Sequence, residues 1–100
     1  MSLDGSTPMT VSGTGVVIGI DYYTNKVTVK LACVRRRKQV KNIDEFTIDF
    51  YSTAADTIKD QVELNDCLWV LGELRGSGLK TRIKAIHFDI LKEENEDITD

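Results

Sequence analysis

One hundred residues with a net charge of −3 and 41% hydrophobic side chains make one domain of ordinary size, with enough apolar surface for a single core. No apolar run approaches the roughly 18 residues of a membrane-spanning segment, and the N-terminus lacks the charged and apolar regions of a secretory signal, so the cytoplasm is the expected compartment. The charge is unevenly placed: Asp89, Glu93, Glu94, Glu96, Asp97 and Asp100 are balanced only by Lys92 over residues 89–100, which leaves a mildly basic body with an acidic tail.

Residues 1–9 are rich in Ser, Thr, Gly and Pro, with little to bury. They read as a disordered leader of the kind a cloning vector leaves, ahead of a folded domain at residues 10–91 and the acidic tail at 92–100. Thr10 to Ile20 is a strand broken by Gly13, Gly15 and Gly19, a density that marks bends or bulges and suits a small closed barrel. Tyr22 to Asn25 is a turn. Lys26 to Val34 then alternates, with Val27, Val29, Leu31 and Cys33 on one face and Lys26, Thr28, Lys30 and Ala32 on the other. Arg35 to Asp44 is polar and charged and reads as a loop.

Glu45 to Tyr51 alternates again. Phe46, Ile48 and Phe50 are expected in the core, and Thr47, Asp49 and Tyr51 outside it. Ser52 or Thr53 is the expected N-cap of a helix carrying Ala54, Ala55, Ile58, Val62 and Leu64 at helical spacing. Asn65-Asp66 is a turn, Cys67 to Leu74 a strand, and Arg75 to Gly78 a hairpin turn. Leu79 to Leu91 is a last strand with two apolar parities, one through Ile83 and Ala85, the other through Ile86, Phe88 and Ile90. Five strands with one short helix between the third and fourth is the element order of a mainly β OB-fold barrel.

Seven cations, Lys26, Lys30, Arg35, Arg36, Arg37, Lys38 and Lys41, occupy residues 26–41 without a single acid. Such a cluster at a hairpin suits a polyanion, because each cation placed on a phosphate releases counterions. Thr28 lies on the same face as Lys26 and Lys30, and Tyr51 points outward beside them. Tyr22 and Tyr23 flank the first turn. Aromatics of this kind supply stacking for unpaired bases. Arg75, Lys80, Arg82 and Lys84 form a second basic group on the last hairpin, to extend a groove or to guard an edge strand. Trp69 has the opposite parity to Leu68 and Val70, so it is expected outside the barrel, on a base or in a subunit contact.

Enzyme chemistry finds little support. Gly13-Thr14-Gly15 lacks the rest of a phosphate-binding loop, and no local motif organises a nucleophile. His87 is the only histidine and reads as a packed strand residue. Cys33 and Cys67 read as buried free thiols, and no metal site or cofactor is expected. Asp44, Glu45 and Asp49 are expected on solvated faces or as partners of nearby arginines.

Three stretches carry a resemblance to the bacterial-type single-stranded DNA-binding proteins across roughly residues 10–91. They are the Gly-bearing first strand Gly15–Ile20, the alternating strand and basic segment Lys26–Arg36, and Phe46–Arg75 with its closing Gly72-Glu73-Leu74-Arg75. The chain is also similar to primosomal replication proteins of the same fold. The resemblance implies an OB-fold that binds single-stranded DNA without sequence preference in replication, recombination or repair. It also implies a homo-oligomer, dimer or tetramer, with replication or repair proteins as further partners. The turn before the fourth strand departs from the family pattern, with Asn65-Asp66 where glycine is usual. The acidic tail also departs from it, ending Asp97-Ile98-Thr99-Asp100 rather than in Pro-Phe. The residues leave two alternatives open: binding of single-stranded RNA, and an OB-fold scaffold that binds protein through Trp69 and the last strand, with the basic segment on an acidic partner.

Overall fold

A computed structural model describes residues 8–38, 40–77 and 80–92. Residues 1–7 of the expected leader 1–9, and residues 93–100 of the expected acidic tail 92–100, lie outside them. The elements are β1 (Thr10–Tyr22), β2 (Lys26–Arg37), β3 (Val40–Tyr51), α1 (Ser52–Gln61), β4 (Cys67–Ser77) and β5 (Lys80–Leu91). The strands close into a barrel in the order β1-β2-β3-β5-β4. All neighbours are antiparallel except β3 and β5, which run parallel and meet only at Ile48↔Ile83 and Asp49↔Lys84. The chain is an OB-fold barrel, as the element order predicts. None of its helices is long and apolar enough to cross a membrane among the described residues.

The inward parity of each strand fills the barrel: Val17 from β1, Val27, Val29 and Leu31 from β2, Ile48 and Phe50 from β3, Leu68 and Val70 from β4, Ile83 from β5. Phe50 is fully buried and sits edge-on to Phe88 with ring centroids 5.3 Å apart. The helix contributes Ala55 and Ile58, and Val62 at its C-cap completes that end of the core.

Two bulges explain the irregular strands. On β1, Val17 faces Leu31 but Gly19 faces Lys30, so Ile18 is an extra residue and is exposed. The backbone of Val17 instead takes bonds from the segment after the helix: its N–H donates to Asp66 O at 2.9 Å and its C=O accepts from Asn65 N–H at 2.8 Å. On β5, Leu71 pairs with His87 and Gly72 with Ala85, which leaves Ile86 as the bulged residue. The phase of the strand changes there. Ile83 and Ala85 therefore face inward before the bulge, and Phe88 and Ile90 after it.

Several expectations need correction. Arg35 to Asp44 is not a loop: β2 and β3 continue as a two-stranded arm through Arg35↔Asn42, Arg36↔Lys41 and Arg37↔Val40. Likewise Arg75 and Gly76 are strand residues, paired with Arg82 and Thr81. The helix begins at Ser52 with Tyr51 as N-cap and no side-chain cap bond, because β3 runs straight into it and Ser52 turns the corner at φ 55°. Leu64 lies beyond the helix and is exposed. Phe46, expected in the core, is 42% exposed. It pairs with Leu31 at the barrel end away from α1, where an apolar cavity of about 330 Å³ stays open. Both thiols are free and only half-buried, and His87 is exposed. Asn65 takes φ 78° in the turn before β4, a left-handed conformation that asparagine tolerates nearly as glycine does.

Candidate nucleic-acid interface

The alternation of β2 and β3 sorts the basic residues onto two sides. The outer face carries the cross-strand pairs Lys26/Tyr51, Thr28/Asp49, Lys30/Thr47, Ala32/Glu45, Val34/Ile43 and Arg36/Lys41. A strand rises about 3.3 Å per residue, so the outer cations of β2 span roughly 33 Å from Lys26 to Arg36. The strip is not uniformly basic: Val34 and Ile43 form an exposed apolar step, 54% and 60% accessible, and Glu45 lies beside it.

Arg35 has the opposite parity. Its Nε and Nη donate to the two carboxylate oxygens of Asp44 at 3.0 and 3.3 Å, so its charge is already engaged. Lys30, Arg36, Lys38 and Lys41 are exposed and have no ion-pair partner among the described residues. Lys38 sits in the arm's turn at φ 51°. Arg37 holds a strand position opposite Val40, with its side chain outside the described set. The same holds for Lys80, whose backbone pairs with Ser77. On β4, Arg75 is taken up by Glu73 at 2.7 Å.

The end of the face nearest α1 is the most organised. Asp49 is 5% exposed. Its Oδ1 accepts from Thr28 Oγ1 at 2.7 Å and from an Arg82 Nη at 2.7 Å, and its Oδ2 accepts from Arg82 Nε at 2.8 Å. Lys26 Nζ lies 3.7 Å from the same carboxylate. The Arg82 fork holds the Asp49 carboxyl below its ordinary range, against a burial effect in the opposite direction, with Thr28 and Lys26 adding to the depression. Thr28 is thus on the face that the alternation predicts, but at 6% exposure it is a buried link in this network rather than a projecting contact.

Two tyrosines border the network. Lys26 Nζ lies 5.4 Å from the Tyr23 ring centroid, and Lys84 Nζ lies 5.7 Å from that of Tyr51. Tyr23 and Tyr51 are 56% and 38% exposed. Tyr22 is also exposed, but it pairs with Val27 and so has the inward parity. The structure therefore brings Tyr23 to the cluster, along with Lys84 and Asp49. The signal for Tyr23 was its place next to Lys26 across a short turn. The partner of Asp49 is 33 residues away in sequence, and nothing local announces it.

Trp69 lies elsewhere. It is half-buried on the outer face of β4, between Thr14 of β1 and Asp89 of β5. Above and below it run the rows Val16–Cys67–Leu91 and Ser12–Leu71–His87. In the closed strand order, β4 is separated from the β2–β3 pair by β1 on one side and β5 on the other, so Trp69 and the basic face belong to different surfaces. No group of three metal-ligating side chains occurs among the described residues.

The ionised Asp49 gives a pH prediction. Its folded pKa is depressed, so its stabilisation is fully present above the ordinary value of 3.8 and is lost as pH falls through the depressed one. Thermal melting of the wild type and Asp49→Asn should show a clear gap at neutral pH that narrows as the pH falls below 3.8. A gap independent of pH would rule out the ionised pair as its source.

No protein-family profile matches the sequence, and no curated protein does. Solved structures do match. The mitochondrial single-stranded DNA-binding protein Rim1 of S. cerevisiae superposes with a TM-score of 0.73 at 11% identity, over 88% of this chain and 99% of that one. The small single-stranded DNA-binding protein of Mycoplasma pneumoniae gives 0.68 at 18% identity, over 91% and 93%. Its counterpart from Streptomyces coelicolor gives 0.69 at 17% identity, over 86% and 95%. At these identities the likeness establishes the shared fold.

Proposed function

We propose that this domain binds single-stranded DNA without sequence preference, along the outer face of β2 and β3 and the arm that extends them, and catalyses no reaction. The observation that carries this reading is the combination on one face of exposed cations without an ion-pair partner among the described residues (Lys30, Arg36, Lys41) with Tyr51, and Tyr23 at its end. Cations hold the phosphates, and aromatic rings stack bases of any identity. The fold is that of proteins described as single-stranded DNA-binding, which supports the choice of ligand. Protection or presentation of single strands in replication, recombination or repair, in the cytoplasm and alongside proteins of those processes, is the role that follows.

A second copy of the chain is proposed as the partner of the Trp69 surface. Val16, Ile18, Ile86 and Leu91 are exposed apolar residues on that side of the barrel, and such patches mark association. Mass measurement in solution should give a dimer or tetramer, with Trp69→Glu shifting it toward monomer. A wild-type monomer at high concentration rejects this part of the proposal.

Competition separates the ligands. A labelled deoxy-oligomer bound to the protein should be displaced by unlabelled single strands and not by duplex of equal nucleotide concentration. Equal displacement by duplex would contradict the proposal, and stronger displacement by a matched ribo-oligomer would move it to RNA.

A further inference from the structure

A buried acid among the cations of this face is not what phosphate binding by charge alone requires. Asp49 pairs with Arg82 at 2.7 Å and with Lys26 at 3.7 Å, and it is closed over to 8% side-chain exposure. What it provides is geometry. The carboxylate receives Arg82 through Nε and one Nη, a bidentate fork that fixes the guanidinium plane. Thr28 Oγ1, already donating to Asp49, lies 3.5 Å from the same Nη and steadies it further. The Arg82 side chain remains 43% exposed. Of the five N–H donors of a guanidinium, the two on its other Nη have no acceptor among the described residues. Lys26, which faces the same carboxylate, stands over Tyr23, and Lys84, the parallel-strand partner of Asp49, stands over Tyr51.

Resting on the single-strand reading, we propose that Asp49 is a positioning residue, holding Arg82 as a fixed plate with a free donor edge in a subsite for one nucleotide, bordered by Tyr23, Tyr51, Lys26 and Lys84. A held guanidinium stacks on a base and donates to a phosphate with less entropy to lose than a free lysine. The same residues fasten β5 to β3, where only two residue pairs close the barrel, so the subsite lies on a seam that cannot shift without opening the fold.

Electrostatics and positioning predict opposite signs here. Removing a negative charge from a DNA path should tighten binding if charge alone matters. If Asp49 positions Arg82, the same change weakens it. The test is Asp49→Asn in the full chain, titrated with fluorescein-labelled oligo-dT at two salt concentrations, with thermal melting as the folding control. Affinity should fall about tenfold, and the salt dependence should lessen by about 0.7, one single-strand phosphate contact. Arg82→Lys keeps the charge and an ion pair with Asp49 but loses the fork. It should show a similar loss while folded, and the double variant should be no weaker than either single one. Binding by Asp49→Asn as tight as the wild type, wild-type affinity in Arg82→Lys, or additive losses in the double variant would each overturn the inference while the single-strand reading stands. A wild type that does not bind oligo-dT overturns both.

Discussion

Replacing Arg36, Lys38 and Lys41 together by alanine should weaken oligo-dT binding roughly a hundredfold at about 50 mM salt and far less at high salt, without lowering the melting temperature. Each phosphate contact with a single strand contributes about 0.7 to the slope of log affinity against log salt, so losing three should reduce that slope by about 2. Stability should survive because these side chains support no packing. Arg36 and Lys41 are in fact directly opposed across the arm, and like charges so placed repel. Lys38 holds its left-handed φ of 51° with either side chain, so its replacement by alanine leaves that backbone cost unchanged. A polyanion laid along the arm relieves the repulsion between Arg36 and Lys41. Arg35→Ala should cost less than its neighbours, since Asp44 already engages that side chain. Unchanged affinity and slope in the triple variant would remove the arm from the binding surface.

Gly72→Ala should lower the melting temperature by on the order of 15 °C, corresponding to about 3 kcal/mol in a domain of this size. A Cβ at this position would lie 2.7 Å from the carbonyl oxygen of Lys84 and against the Cγ2 of Ile83. Backbone on the neighbouring strand cannot rotate away, so β4 and β5 would have to separate where the β5 bulge already shifts their register. Gly13→Ala is the matched control: nothing lies within 4 Å of a Cβ there, and its melting temperature should stay close to wild type. If the two variants melt together, the close approach of β4 to β5 at Gly72 is not what requires glycine.

The barrel was legible in the sequence because its strands are half-buried. Val27, Val29 and Leu31, or Ile48 and Phe50, announce a face by alternation, and the alternation assigned Lys26, Thr28, Lys30, Asp49 and Tyr51 to the correct side of the sheet. The arm was not legible as strand. Beyond Val34 it leaves the barrel, has no core on either side to select apolar residues, and so carries charges that resemble a loop. The bulge at Ile86 registered only as two conflicting parities in one strand. The Asp49–Arg82 clasp escaped because it depends on a parallel contact between β3 and β5, which sequence distance hides. Phe46 escaped because alternation gives the face a residue is on, and it cannot tell where along the strand the core ends.

The central claim is that single-stranded DNA lies on the β2–β3 face rather than on the Trp69 surface. Photocrosslinking of an oligo-dT containing iododeoxyuridine, followed by peptide mapping, tests it most directly. The account predicts crosslinks at Tyr51 and Tyr23, suppressed by excess single strand. Crosslinks confined to the peptide containing Trp69 would contradict it.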